Sequence, residues 1–151
     1  MEGSRDFGAL AGRVMLGLIF VLSGFQKLMN PVATMKMMGA HGLPILPVAF
    51  VVTVMIEFGC GLLLMLGYKA RWAALAIFLW FIPVTLIFHV AAYHQAVEQQ
   101  QAAAAMVQRI MYLKNLSIMG GLLMIASMGP GGISLDGRGR DTAELGTRRA
   151  A

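Results

Sequence analysis

Five ionisable side chains lie inside stretches that are otherwise apolar: Arg13, Lys27, Glu57, His89 and Lys114, with the amides Gln26 and Asn115 beside them. A charge at the centre of a membrane-spanning helix costs about 2.5–3.5 kcal/mol on an insertion scale, so such residues are functional candidates by default. Glu57 needs a cation or several donors to stay ionised; otherwise it holds its proton. Arg13 and Lys27 are the cations on the first apolar stretch. Glu57 and His89 are the candidate catalytic residues, because a carboxyl and an imidazole can handle protons. Arg13, Gln26, Lys27, Lys114 and Asn115 are the candidate ligand-binding residues. Together they predict a pocket of net positive charge, suited to an anion or to the oxygen of a quinone. The competing reading is a buried hydrogen-bonded network that fixes helix packing, with Lys114 snorkelling to the interface.

The elements that must position these groups are four apolar stretches, at roughly residues 7–29, 47–66, 72–93 and 110–128. Each is about as long as a helix needs to cross a hydrocarbon core of about 30 Å. In lipid the backbone must be satisfied within the segment, so these are helices. The composition agrees. Of 151 residues, 58% are hydrophobic and 13% charged, against about 25% charged in a soluble domain. The predicted fold is all-α: an antiparallel bundle of four transmembrane helices over 1–129, then a polar, poorly ordered tail over 130–151.

On the first helix Arg13, Gly17, Phe20, Gly24 and Lys27 recur at spacings of four and three. That is one seam, turned to other helices rather than to lipid. Antiparallel packing brings Gln26, Lys27, His89, Lys114 and Asn115 to one depth, with Glu57 just beneath. After the apolar centre comes Ser23-Gly24-Phe25-Gln26-Lys27, not a cleavage site, so the first helix is read as retained. Pro83 is the one kink candidate in the third helix.

Arg5, Lys69, Arg71, Arg138, Arg140, Arg148 and Arg149 fall at the N-terminus, the second loop and the tail. The positive-inside rule then puts both termini in the cytoplasm of a bacterial-type inner membrane. The net charge of +5 is absorbed by this topology, and nucleic acid is excluded as a partner because no basic stripe alternates with exposed aromatics. Cys60 is the single cysteine, which excludes an intrachain disulfide and a CxxC redox pair. Met35, Met37, Met38 and His41 have the softness for Cu(I). The 13 methionines, however, are spread along the chain, and no metal site is assigned. With one deep histidine, haem has no second imidazole.

Read in order, these motifs resemble the DoxX family. The matching pieces are Arg13-x-x-x-Gly17-x-x-Phe20, Ser23-Gly24-Phe25-Gln26-Lys27-Leu28 and Gly42-Leu43-Pro44. Next come Glu57-Phe58-Gly59-Cys60-Gly61-Leu62-Leu63, Gly67 before Arg71, and Phe88-His89. The last are Lys114-Asn115-Leu116, Gly120-Gly121-Leu122-Leu123, Gly129-Pro130-Gly131 and Ser134-Leu135-Asp136. The resemblance implies a four-helix membrane protein like the membrane subunit of a thiosulfate:quinone oxidoreductase. It carries no intrinsic cofactor, quinone is the candidate ligand, and the partners are the bilayer and other membrane subunits. One departure is Val90-Ala91, where the family pattern often has an acidic residue after the histidine. The alternatives are a non-catalytic scaffold subunit, suggested by the glycine seams, and a small transporter, for which four helices leave little room.

Overall fold

A computed structural model describes residues 2–137 of the chain. Four helices are long and apolar enough to cross a membrane. We label them α1 (Glu2–Met29), α3 (Leu46–Leu66), α4 (Ala70–Glu98) and α5 (Ala102–Met128). A short α2 (Pro31–Ala40) lies between the first two. The described residues contain no strand.

Each boundary has a chemical cause. Asn30-Pro31 separates α1 from α2, with Pro31 in the first turn of α2, where its missing N–H costs nothing. Pro47 does the same in the first turn of α3. Gly67 ends α3 at φ +68°. Its N–H donates to Leu64 O and that of Tyr68 to Leu63 O, closing the last turn with orphan carbonyls satisfied. The turn between α4 and α5 is only Gln99–Gln101, so α4 and α5 continue well past the apolar stretches read from sequence. Alanine and glutamine favour helix once the chain has left the lipid.

The spans follow one another around the bundle. α1 packs on α3, α3 on α4, and α4 on α5, while α1 and α5 barely touch. The core joins Phe20, Leu64, Ala70, Ala74, Ile77, Ile118 and Leu122. Phe20 meets Phe81 edge-on at 5.0 Å between centroids, a favoured aromatic geometry. Many large apolar side chains point outward, among them Leu18, Leu22, Val51, Leu79 and Leu116. That surface matches a bilayer rather than water.

Two helical segments depart from the α-helical repeat. Met55–Cys60 in α3 and Thr85–Val90 in α4 are π-helical. Pro83 lies two residues before the second, and a proline removes a backbone donor from the regular ladder. Such wide turns often mark functional sites. Glu57 lies in one and His89 in the other.

Residues 130–137, the start of the segment read as a poorly ordered tail, fold back against the bundle. Asp136 accepts hydrogen bonds from the N–H groups of Lys69 (2.8 Å) and Ala70 (3.0 Å), capping α4 from a distant part of the chain. Its own N–H donates to Gly67 O at 2.9 Å. Residues 138–151, with Arg138, Arg140, Arg148 and Arg149, lie outside the described residues.

Candidate functional site: an ion pair in a cavity between the spans

A cavity of about 450 Å³ opens on the side of the bundle away from the termini. α1 contributes Ser23 and Lys27, α3 Thr53 and Glu57, α4 Trp80, Phe81, Pro83, Val84, Ile87, Phe88 and His89, and α5 Lys114 and Asn115; Met37, Met38 and Leu43 roof it. Lys27 and Glu57 meet inside it. Lys27 Nζ donates to Glu57 Oε2 at 2.6 Å and to Ser23 Oγ at 2.7 Å. The Lys27 side chain is 21% exposed and that of Glu57 6%. This is the only ion pair among the described residues. Local helix geometry makes it possible: Ser23 and Lys27 are one turn apart on α1 and face the same way. Between them, an added Cβ on Gly24 would lie 2.6 Å from Phe58 N, so α1 and α3 touch backbone to backbone one residue from Glu57. The short approach brings the two charges into contact.

Asn115 is buried and its Nδ2 donates to Thr85 Oγ1 at 3.0 Å, tying α5 to α4. His89 is half-buried, and its Nδ1 lies 3.0 Å from Gln108 Oε1. With Gln108 accepting, His89 carries its proton on Nδ1, and Nε2 is left as an acceptor.

The candidate residues thus divide. Lys27, Glu57, His89, Lys114 and Asn115 share one cavity. Lys114 is exposed at its edge, with Nζ 3.6 Å from Met111 Sδ. Gln26 is exposed and outside the cavity, because it sits a single helical step of about 100° from Lys27. Arg13 is at the opposite end of the bundle. It is 2% exposed and donates to the carbonyls of Met65 (3.3 Å), Ile133 (3.0 Å) and Pro130, clamping the 130–137 segment to α1 and α3. Its donors are spent on backbone rather than on a ligand in this cavity.

Pairing changes the electrostatics read from the sequence. Lys27 is matched by Glu57, so the buried part of the cavity carries no net charge unless His89 is protonated. The aromatic walls and Trp80 were not singled out from sequence. Trp80 belongs to the cavity wall, and its Nε1 is the one buried side-chain nitrogen or oxygen among the described residues without a hydrogen-bond partner. Only a three-dimensional contact could mark Trp80, Ser23, Thr85 and Gln108 as members of the site. No three His, Cys, Asp or Glu side chains come together among the described residues.

A bundle of four membrane spans around a largely apolar cavity, polar at one ion-paired corner, defines a multi-pass membrane protein with an internal cavity. The chain belongs to the DoxX family, whose family model matches residues 8–90. It is 30% identical over 138 residues to "Inner membrane protein YqjF" of Escherichia coli, covering 90% of this chain and 95% of that one. It is 34% identical over 139 residues to "Inner membrane protein YphA" of the same organism, covering 88% and 95%. A Surfeit locus protein 4 homolog of Drosophila melanogaster is 29% identical over 140 residues, 87% of this chain and 41% of the longer fly protein. No solved structure matches. The relatives and the four spans make this a multi-pass inner membrane protein.

Proposed function

We propose that the chain is the membrane subunit of a quinone-linked redox complex, with its cavity taking the quinone head group and its termini in the cytoplasm. The carrying observation is the Lys27–Glu57 ion pair opening onto a cavity whose remaining wall is largely apolar and aromatic. A volume of about 450 Å³ falls within the roughly 300–1,000 Å³ of small-molecule sites. Apolar walls with a few convergent polar groups suit a flat, neutral, lipid-soluble ring better than a free anion, because Glu57 already neutralises Lys27.

A bound quinone accepts two electrons and two protons; a redox centre on a partner subunit supplies the electrons. This chain's residues handle position and protons. Lys27 and Glu57 share a hydrogen bond and can pass a proton along it. His89, fixed by Gln108, offers Nε2 as a second proton station. Asn115 and Thr85 hold α4 and α5 at the spacing that keeps the cavity open.

The test is to purify the protein from native membranes, extract it with organic solvent and count quinone per chain by mass spectrometry. The proposal expects stoichiometric enrichment over the membrane ratio, lost when Val84→Phe fills the wall. Quinone at the bulk membrane ratio argues against it, as does unaltered quinone reduction by the complex carrying His89→Ala and Glu57→Gln.

A second reading, a non-catalytic scaffold, is favoured by the Arg13 clamp, whose hydrogen bonds all go to backbone carbonyls. It expects cavity variants to lose assembly with partner subunits, rather than bound quinone.

A further inference from the structure

We propose that the groove between α1 and α5 on the termini side binds an anionic phospholipid, with an acyl chain along the groove and the phosphate held by Arg5 and Arg71. This site is separate from the quinone reading and stands without it. The groove has a volume of about 610 Å³. Gly12, Leu16, Gly121, Ile125 and Met128 form its apolar floor. It lies between two membrane spans, where an acyl chain is the available filler. Its inner end is where α1 touches α5: an added Cβ on Gly121 would sit 2.9 Å from Leu16 Cδ1.

The charges at its outer end select the head group. Arg5 belongs to the wall and is exposed. Arg71, also exposed, lies against Gly129 at the groove's end, with Nε 3.2 Å from where a Cβ on Gly129 would be. The nearby carboxylates already have donors. Asp6, which also lines the groove, accepts from Gly132 N at 2.8 Å through Oδ1, and Asp136 accepts from Lys69 N and Ala70 N. Arg13, the third guanidinium here, is enclosed by carbonyls. Arg5 and Arg71 make no salt bridge among the described residues. Guanidinium forks match phosphate oxygens, and basic pockets between spans take anionic head groups. A zwitterionic lipid brings its own ammonium and gains less.

The probes are phosphatidylglycerol and phosphatidylcholine of matched chains, presented to the delipidated full-length protein in mixed micelles and counted by native mass spectrometry. Wild type is expected to prefer phosphatidylglycerol by about thirtyfold, at about fivefold per basic residue near the surface. Arg5→Gln with Arg71→Gln should bring that preference to parity while both lipids still bind. Gly12→Leu should reduce the retention of both; its side chain enters open space, since nothing lies within 4 Å of a Cβ there. Equal retention of both lipids by wild type, or an unchanged preference in the double variant, overturns the proposal. A dimer mass that disappears in Gly12→Leu overturns it too, making the groove a contact between copies. Inorganic phosphate at millimolar concentration is expected not to displace the lipid. If it displaces phosphatidylglycerol completely, the site is for the anion alone and the acyl-chain assignment fails.

Discussion

Lys27→Met and Glu57→Gln are expected to destabilise the bundle by different amounts. Glu57 has a side chain only 6% exposed and one cation in contact, Lys27 at 2.6 Å. Removing Lys27 leaves a carboxylate that must be buried uncompensated or hold a proton; breaking such a pair costs about 3–5 kcal/mol. Removing Glu57 is milder. The Lys27 side chain is 21% exposed, keeps Ser23 Oγ as an acceptor, and sits near the end of α1. Its four-carbon stem lets the ammonium reach the interface, so the cost should be about 1–2 kcal/mol after solvent screening. With both groups gone no unpaired charge remains, and the double variant should lose about 2–4 kcal/mol less than the sum of the singles. Equilibrium unfolding by SDS titration in mixed micelles, followed by far-UV circular dichroism, measures all three. Equal single costs that simply add would show that the two charges do not meet in a shielded site.

Gly24→Ala should destabilise by about 2 kcal/mol or more, because the new methyl overlaps the Phe58 backbone of α3, whereas Gly12→Ala, facing open space, should be neutral or stabilising by up to about 1 kcal/mol; the same titration separates them. Arg13→Met should cost on the order of 3 kcal/mol by orphaning carbonyls, and should speed proteolytic cleavage within 130–137, read by mass spectrometry. Asp136→Ala should cost about 1 kcal/mol through the lost cap on α4, and faster amide exchange at Lys69 and Ala70 would report it.

Much of the architecture is legible because lipid imposes length and apolarity on each span: the four stretches read from sequence lie within the four helices. Depth was legible for the same reason, since counting residues along antiparallel spans puts Lys27, Glu57, His89 and Asn115 near one level. Direction around each helix was harder. Gln26 is the sequence neighbour of a cavity residue yet lies one helical step off the face that looks inward, and Lys114 reaches only the cavity's exposed edge. The seam placed Arg13 correctly on an inward face, but two of its three partners are carbonyls of a segment over a hundred residues away, which local spacing cannot disclose. That same pairing explains why the polar stretch after Gly129 reads as loose while residues 130–137 dock: two donors of Arg13 and the carboxylate of Asp136 hold it. The π-helical turns carry no plain signature beyond Pro83.

The account turns on whether the cavity receives a quinone head group, and the two tryptophans report on that directly. Trp80 lines the cavity while Trp72 is exposed in the first turn of α4. The deciding measurement is fluorescence quenching by 2,3-dimethyl-1,4-naphthoquinone in nanodiscs, with Trp72→Phe leaving Trp80 as reporter and Trp80→Phe leaving Trp72. Saturable quenching of Trp80, abolished by Val84→Phe, with only shallow, unsaturable quenching of Trp72, is the predicted result. Parallel, unsaturable quenching of both would mean that the quinone merely dissolves in the bilayer, and would contradict the account.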